Sequence, residues 1–250
     1  MAATTRKAQR TAELDDTGNE AEKVSKHTGR TRLLLCSTAC LSVPAMYALI
    51  FRPRMLIWGA TAEEAFSAYP GDELVPDPDG GATMATTLPA RADRVWPWLV
   101  QMGGERAGWY SWDWLDNGGE PSADRIVPEW QNLEVGQHLQ RPPKGPTNWW
   151  TVAILEPNRT LVLVTSYGPT GRSFDRRTGE VPRSFTEGTW GFHLREAAAG
   201  RTRLVVRTRH RSRPRLLNQA FGVLVGEPVH FVMQARQFHN LRSRVCPQPP

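Results

Sequence analysis

Asp113 and Asp116 stand three positions apart, a spacing that places two carboxylates on one face of a short helix. Paired acids do acid–base work in that arrangement, but a solvated helix face or a cap is the commoner use of the same pattern. Arg125 and Glu129 flank Pro128 and suit an ion pair that fastens a loop. Tyr110, Arg125 and His193 are the polar side chains that would polarise a substrate carbonyl if the fold brought them together, although strand alternation turns His193 outward. The histidines His138, His193, His210, His230 and His239 lack acidic or cysteine neighbours at metal-ligand spacing, so no metal site is expected. Phosphate-cradling glycine loops, the paired-histidine zinc motif and the nucleophile-elbow motif are all absent. The nearest glycine string, GGERAG from Gly103, has the wrong spacing, and no cofactor is expected. Catalytic residues stay unassigned.

Two patterns point to binding instead. Trp109, Tyr110, Trp112 and Trp114 crowd into six positions, and amphipathic rings at that density wall a pocket, sit at a membrane interface, or pack a helix on a sheet. From Arg201 to Arg215, arginine recurs at odd positions, including Arg201, Arg203, Arg207 and Arg209. An extended chain therefore carries them as one outer stripe. Such a stripe is solvated by default, and anionic lipid headgroups are its functional alternative. The formal charge of +6 suits an anionic partner, but no nucleic-acid-binding motif accompanies it, so nucleic acid is not expected.

These residues need elements to hold them. A short strand is expected over 83–88, followed by a helix over 92–102 with apolar residues at Val95, Trp98, Leu99 and Met102. A short helix lies within 106–119, ending on Asn117 and two glycines. Residues 149–155 and 160–166 flank the turn Glu156-Pro157-Asn158-Arg159 as a hairpin, and strands follow over 189–194 and 202–210. Two helical stretches close the chain, one striped by Leu216, Leu217, Ala220, Phe221 and Leu224, the other by Phe231, Ala235, Phe238, Leu241 and Val245.

The first third reads differently. Residues 1–32 are polar and nearly free of large apolar side chains, as in a disordered tail. The run 33–51 is uncharged, lies between basic residues, and at about 1.5 Å per residue just spans a hydrocarbon core of about 30 Å. A cleaved signal peptide, a lipoprotein signal at Cys40, a membrane anchor and a buried helix are the open readings, and length and flanks favour the anchor. Lys23, Lys26, Arg30 and Arg32 precede the run, which places the tail inside and the domain on the outer side of the cytoplasmic membrane. A cytoplasmic location is the alternative. Residues 52–81, rich in proline and glycine, read as a connector, and 82–246 as the domain. Three cysteines do not make a disulfide framework.

The element order, with PGDELVPDP (70–78), VWPWLVQMG (95–103), RAGWYSWDWLDN (106–117), PSADRIVPEWQNLEVG (121–136) and EPVHFVM (227–233), resembles an actinobacterial branch of the SRPBCC superfamily, the START-like and polyketide-cyclase-like proteins. The resemblance implies an α+β helix-grip fold, a curved antiparallel sheet around a long C-terminal helix with an apolar cavity between them. It also implies a lipid- or polyketide-like hydrophobic or amphipathic ligand. A cyclase or aromatase, or an interaction protein with a vestigial cavity, is the alternative. The expected cavity-facing residues are Trp109, Tyr110, Trp112, Trp150, Val152, Ile154, Trp190, Phe192, Leu204, Val206, Phe231 and Phe238. For any one of them, core filling is the bland alternative.

Overall fold

The computed structural model describes residues 45–141, 148–175 and 180–246. The expected tail and most of the apolar run, residues 1–44, lie outside them. By compactness the chain divides into residues 1–53 and 54–250. Tyr47–Phe51, in the first unit, forms a π-helical turn, and Arg52–Leu56 forms the short helix α1. Among the described residues no helix is long and apolar enough to cross a membrane.

The second unit is α+β. Six strands, β1 (Gly80–Leu88), β2 (His138–Arg141), β3 (Asn148–Glu156), β4 (Thr160–Tyr167), β5 (Phe185–Ala197) and β6 (Arg201–Arg213), form one curved sheet. They pair in the order β1-β6-β5-β4-β3-β2, antiparallel throughout. Between β1 and β2 lie α3 (Ala92–Val100) and the single turn α4 (Asp113–Asp116). α3 forms because Val95, Trp98 and Leu99 recur at helical spacing and are buried together with Val100. The chain closes with α5 (Arg215–Phe221), a π-helical turn (Gly222–Gly226) and α6 (Glu227–Val245), a helix-grip arrangement.

The two closing stretches are thus one helix, joined through residues the sequence pattern treats as a break. Its buried face also differs from the expected stripe. Glu227, Gln234, Gln237, Phe238, Leu241 and Val245 are buried, while Phe231 and Ala235 are only half-buried. The face is turned toward two glutamines because those glutamines have partners inside.

The main core lies between the helices and one sheet face, with Met84, Phe192, Leu194, Leu204 and Val206 from the strands meeting Leu99, Met102, Phe238 and Leu241. Alternation fails once. The register shifts between Val152 and Ile154, so Val152 pairs with Leu163 and Ile154 with Val162. A bulge inserts one residue and reverses the inward and outward assignment beyond it. Val152 keeps the core face, but Leu155 packs there in place of Ile154. Ile154 is therefore not a cavity residue.

The opposite face of the sheet is covered too. Residues 60–79 of the segment expected as a connector pack across it, whereas Leu56 lines the helix-side cavity and the Trp58 ring meets those of Phe231 and Phe238. Thr61 begins α2 (Ala62–Phe66) with a capping box closed by Glu64, and Tyr69 and Val75 are buried. Gly59 has φ +74°, and a Cβ there would stand 2.2 Å from the Ala85 carbonyl oxygen, so only glycine lets the strap lie this close to β1. The odd-numbered arginines of β6 meet the strap's acids. Arg203 pairs with Glu64 through Nε at 2.8 Å and Nη2 at 2.6 Å, and Arg207 with Asp72 at 2.9 and 3.0 Å. Arg209 reaches Asp72 at 3.4 Å, and Arg211 is paired with Glu187. Forked pairs of this kind fix geometry as well as charge. The expected solvated stripe is instead a latch. Arg201, exposed and bonded to the Ala198 carbonyl, is the member of the named four that stays outside it.

Candidate functional site

A cavity of about 450 Å³ opens between the inner sheet face and the closing helix. β5 supplies Trp190, β3 supplies Trp150, and the segment after α3 supplies Trp109. The Trp190 ring lies 5.5 Å from that of Trp109 and 5.6 Å from that of Trp150. Gly81, Ala82 and Gly188 keep the strand floor low. The helix contributes Met233, Gln234 and Gln237, and the π-helical turn brings Phe221, Gly222 and Gly226 to the rim. A π-turn in a helix bordering a cavity is a known mark of sites where helix geometry has been adjusted for use.

The tryptophan segment is fastened to the helix rather than left as a loop. Asn240 Nδ2 donates to the Tyr110 and Ser111 carbonyls at 2.9 and 3.3 Å, and the Ser111 hydroxyl donates to the Met233 carbonyl at 3.2 Å. Tyr110 takes a left-handed φ of +59°, a strained setting for a bulky residue that these contacts hold in place. Its hydroxyl accepts from Gln101 Nε2 at 2.8 Å, and burial pushes its pKa above the usual phenol range, so it stays protonated.

The expected cavity residues divide into groups. Trp109, Trp150 and Trp190 line the cavity. Phe192, Leu204, Val206 and Phe238 are buried in the core, Phe231 packs against it, and Tyr110 is buried in the core beneath the Arg244 guanidinium. Trp112 is half-buried with Arg236 over its ring at 4.9 Å, and Trp114 is 72% exposed. For these residues the aromatic cluster is mainly a packing device, with Trp109 its member in the cavity wall.

The polar candidates are not brought together. Asp113 accepts from the Ser122 hydroxyl at 2.5 Å, whereas Asp116 is buried and lines the cavity. Arg125 and Glu129 are exposed, and Arg125 enters the interior only through its carbonyl, which accepts from Gln101 at 3.1 Å. His193 does face away from the cavity, yet it is only 4% exposed, because the strap covers it and Tyr69 lies 4.7 Å from it, ring to ring. Burial first, then the neighbouring Arg195 cation, push its pKa down to about 4. Among the described residues no group of three or more His, Cys, Asp or Glu is placed to hold a metal ion.

Sequence reasoning missed the helix and rim part of the lining: Gln234 and Gln237, Glu227, His230, and His210 and Thr208 from β6. The glutamines had a readable signal, two amides three apart beside Phe238 on a helix otherwise striped with apolar residues. The β6 residues share the even-numbered face with Leu204 and Val206, but the arginine pattern drew the reading to the other face.

No family model and no curated protein matches the chain. Solved structures do. A protein of Mesorhizobium loti is 14% identical with a TM-score of 0.38, covering 68% of this chain and 100% of its own. A hypothetical protein of Helicobacter pylori is 10% identical with a TM-score of 0.45, covering 74% and 98%. A protein of Nitrosomonas europaea is 14% identical with a TM-score of 0.41, covering 67% and 94%. None of the three names a family.

Proposed function

We propose that this protein binds a hydrophobic or amphipathic small molecule between its sheet and its long helix, as a START-like member of the SRPBCC superfamily would. The observation that carries the reading is the cavity of about 450 Å³ walled by Trp109, Trp150 and Trp190. Cavities of roughly 300–1,000 Å³ with aromatic walls and a few polar groups are the ordinary form of small-molecule sites. An enzyme of cyclase type has less support, since Tyr110, Arg125 and His193 lie in three different surroundings.

A membrane tether through residues 33–51 belongs to the same reading, because a carrier of apolar molecules gains from standing next to the bilayer. In this reading the basic residues before the run, Lys23, Lys26, Arg30 and Arg32, put the domain, with exposed Cys246, on the outer side.

Mass spectrometry of the protein purified from cells that make it, under native and then denaturing conditions, tests the binding reading. A co-purifying lipid or polyketide that leaves on denaturation is the expected result. A protein that comes empty and gains no stability from any apolar compound would turn the reading toward an interaction protein with a vestigial cavity.

A further inference from the structure

Gln237 sets the hydrogen-bond polarity of the cavity's helix wall. Its Nε2 donates to the Trp109 carbonyl at 2.8 Å, and a carbonyl only accepts. The Gln237 amide is therefore fixed with Oε1 toward Gln234, whose Nε2 donates to it at 2.8 Å. Reversing either amide would set two acceptors against each other. Gln234, 2% exposed and lining the cavity, is thereby left with its Oε1 lacking any partner in the protein.

Two donors elsewhere in the cavity lining are also unmet. The indole N–H groups of Trp109 and Trp190 are shielded from solvent and have no acceptor in the protein. Among the described residues, the unmet Gln234 oxygen and two indole N–H groups around a single cavity are an unusual concentration, because buried polar groups are paired almost without exception. The tryptophan rings and Met233 of the lining suit a hydrocarbon body, and the three atoms bear on the polar group it carries.

We propose that the ligand presents an uncharged hydroxyl, alcoholic or phenolic, at the Gln234 end of the cavity. It donates to Gln234 Oε1 and accepts from an indole N–H, and a second ligand oxygen, carbonyl or ether, serves the other indole. This inference rests on the binding reading above. A hydroxyl fits because it is both donor and acceptor, whereas a carboxylate only accepts and would oppose Oε1, an ammonium only donates, and a bare hydrocarbon satisfies none of the three.

Naphthalene, naphthol and naphthoate share one ring system and separate these cases. Binding to the full chain near neutral pH is measured by calorimetry, with the indole N–H resonances followed by nitrogen-edited NMR. Naphthol, with its single oxygen, is expected to bind about tenfold more tightly than either relative and to shift the indole N–H resonance of Trp109 or of Trp190, since a pair of satisfied hydrogen bonds is worth on the order of one decade in affinity. Gln234→Leu should abolish the preference, so that naphthol and naphthalene bind alike, and Trp190→Phe, which keeps a ring and removes the N–H, should reduce it. Equal binding of naphthol and naphthalene would overturn the hydroxyl assignment and leave the cavity reading standing. Preference for naphthoate would overturn it in favour of an anionic ligand. If none of the three moves an indole resonance, both readings fall.

Discussion

His193 couples the fit of the strap to pH. It sits on the sheet face covered by residues 60–79, with Tyr69 against its ring and the charged groups of Arg195, Asp72 and Arg207 around it. Gly191 leaves it room, since a Cβ there would stand 2.7 Å from His193 Nε2. Its pKa of about 4 in the folded protein lies below the ordinary value of 6.5, so the unfolded chain binds the proton more readily and stability must fall as pH drops from 6.5 towards 4. A gap of about 2.5 units at 1.36 kcal/mol per unit limits the loss to about 3 kcal/mol, and roughly 2 kcal/mol of it is already gone at pH 5 relative to pH 7.5. Glu64 and Asp72 are ion-paired acids whose pKa values lie below their ordinary 4.5 and 3.8, so they withdraw their stability in a lower window. Urea unfolding followed by tryptophan fluorescence at both pH values measures the difference, and His193→Phe should shrink it to a few tenths of a kcal/mol while the other histidines contribute equally to both proteins. Wild-type protein equally stable at the two pH values, or a variant that loses as much as wild type, would refute the account.

Gly59→Ala should lower stability by about 2 kcal/mol, and Tm by roughly 4–8 °C in a scan, because a Cβ meets the Ala85 carbonyl oxygen and φ is +74°. Asp72→Asn should cost about 2 kcal/mol in denaturant unfolding by leaving Arg207 and Arg209 without their shared counter-ion; adding Arg207→Met should recover part of it, and strict additivity of the two changes would show that the latch does not act as a pair. Phe192→Ala should cost about 4 kcal/mol, as for a ring buried in the core, and a loss under about 1 kcal/mol would mean that Phe192 faces open cavity instead. Cys246 should react with a membrane-impermeant maleimide in intact cells, and its protection there together with reaction after lysis would place the domain inside.

Local pattern in the sequence carried the order of strands and helices, the inward set Phe192, Leu204, Val206 and Phe238, and the inward Trp150 and Trp190, because alternation and helical spacing are properties of neighbouring residues, while the helix-grip arrangement was implied by the family resemblance. What it did not carry was any interaction with a partner far along the chain. Arg203 is 139 residues from Glu64 and Arg207 is 135 from Asp72, so nothing beside either arginine distinguishes a latched cation from a solvated one. Ile154 was lost to a one-residue register shift that depends on how β3 lies on β4.

Gln234 and Gln237 show the same limit from the functional side. Glutamine on a long helix is usually a solvent residue, and only the Trp109 carbonyl, 128 residues from Gln237, makes these two interior. The strap and the glutamine pair are the two places where local propensity and final burial disagree most. In the strap every acid named has a basic partner, so the disagreement is resolved within the protein and its consequence is stability. In the glutamine pair it is resolved only as far as Gln234 Nε2, and the chain of donors and acceptors stops at an oxygen in a cavity wall. A polar network that closes is an element of structure, and the one that ends at Gln234 is where the proposed ligand would supply the last member.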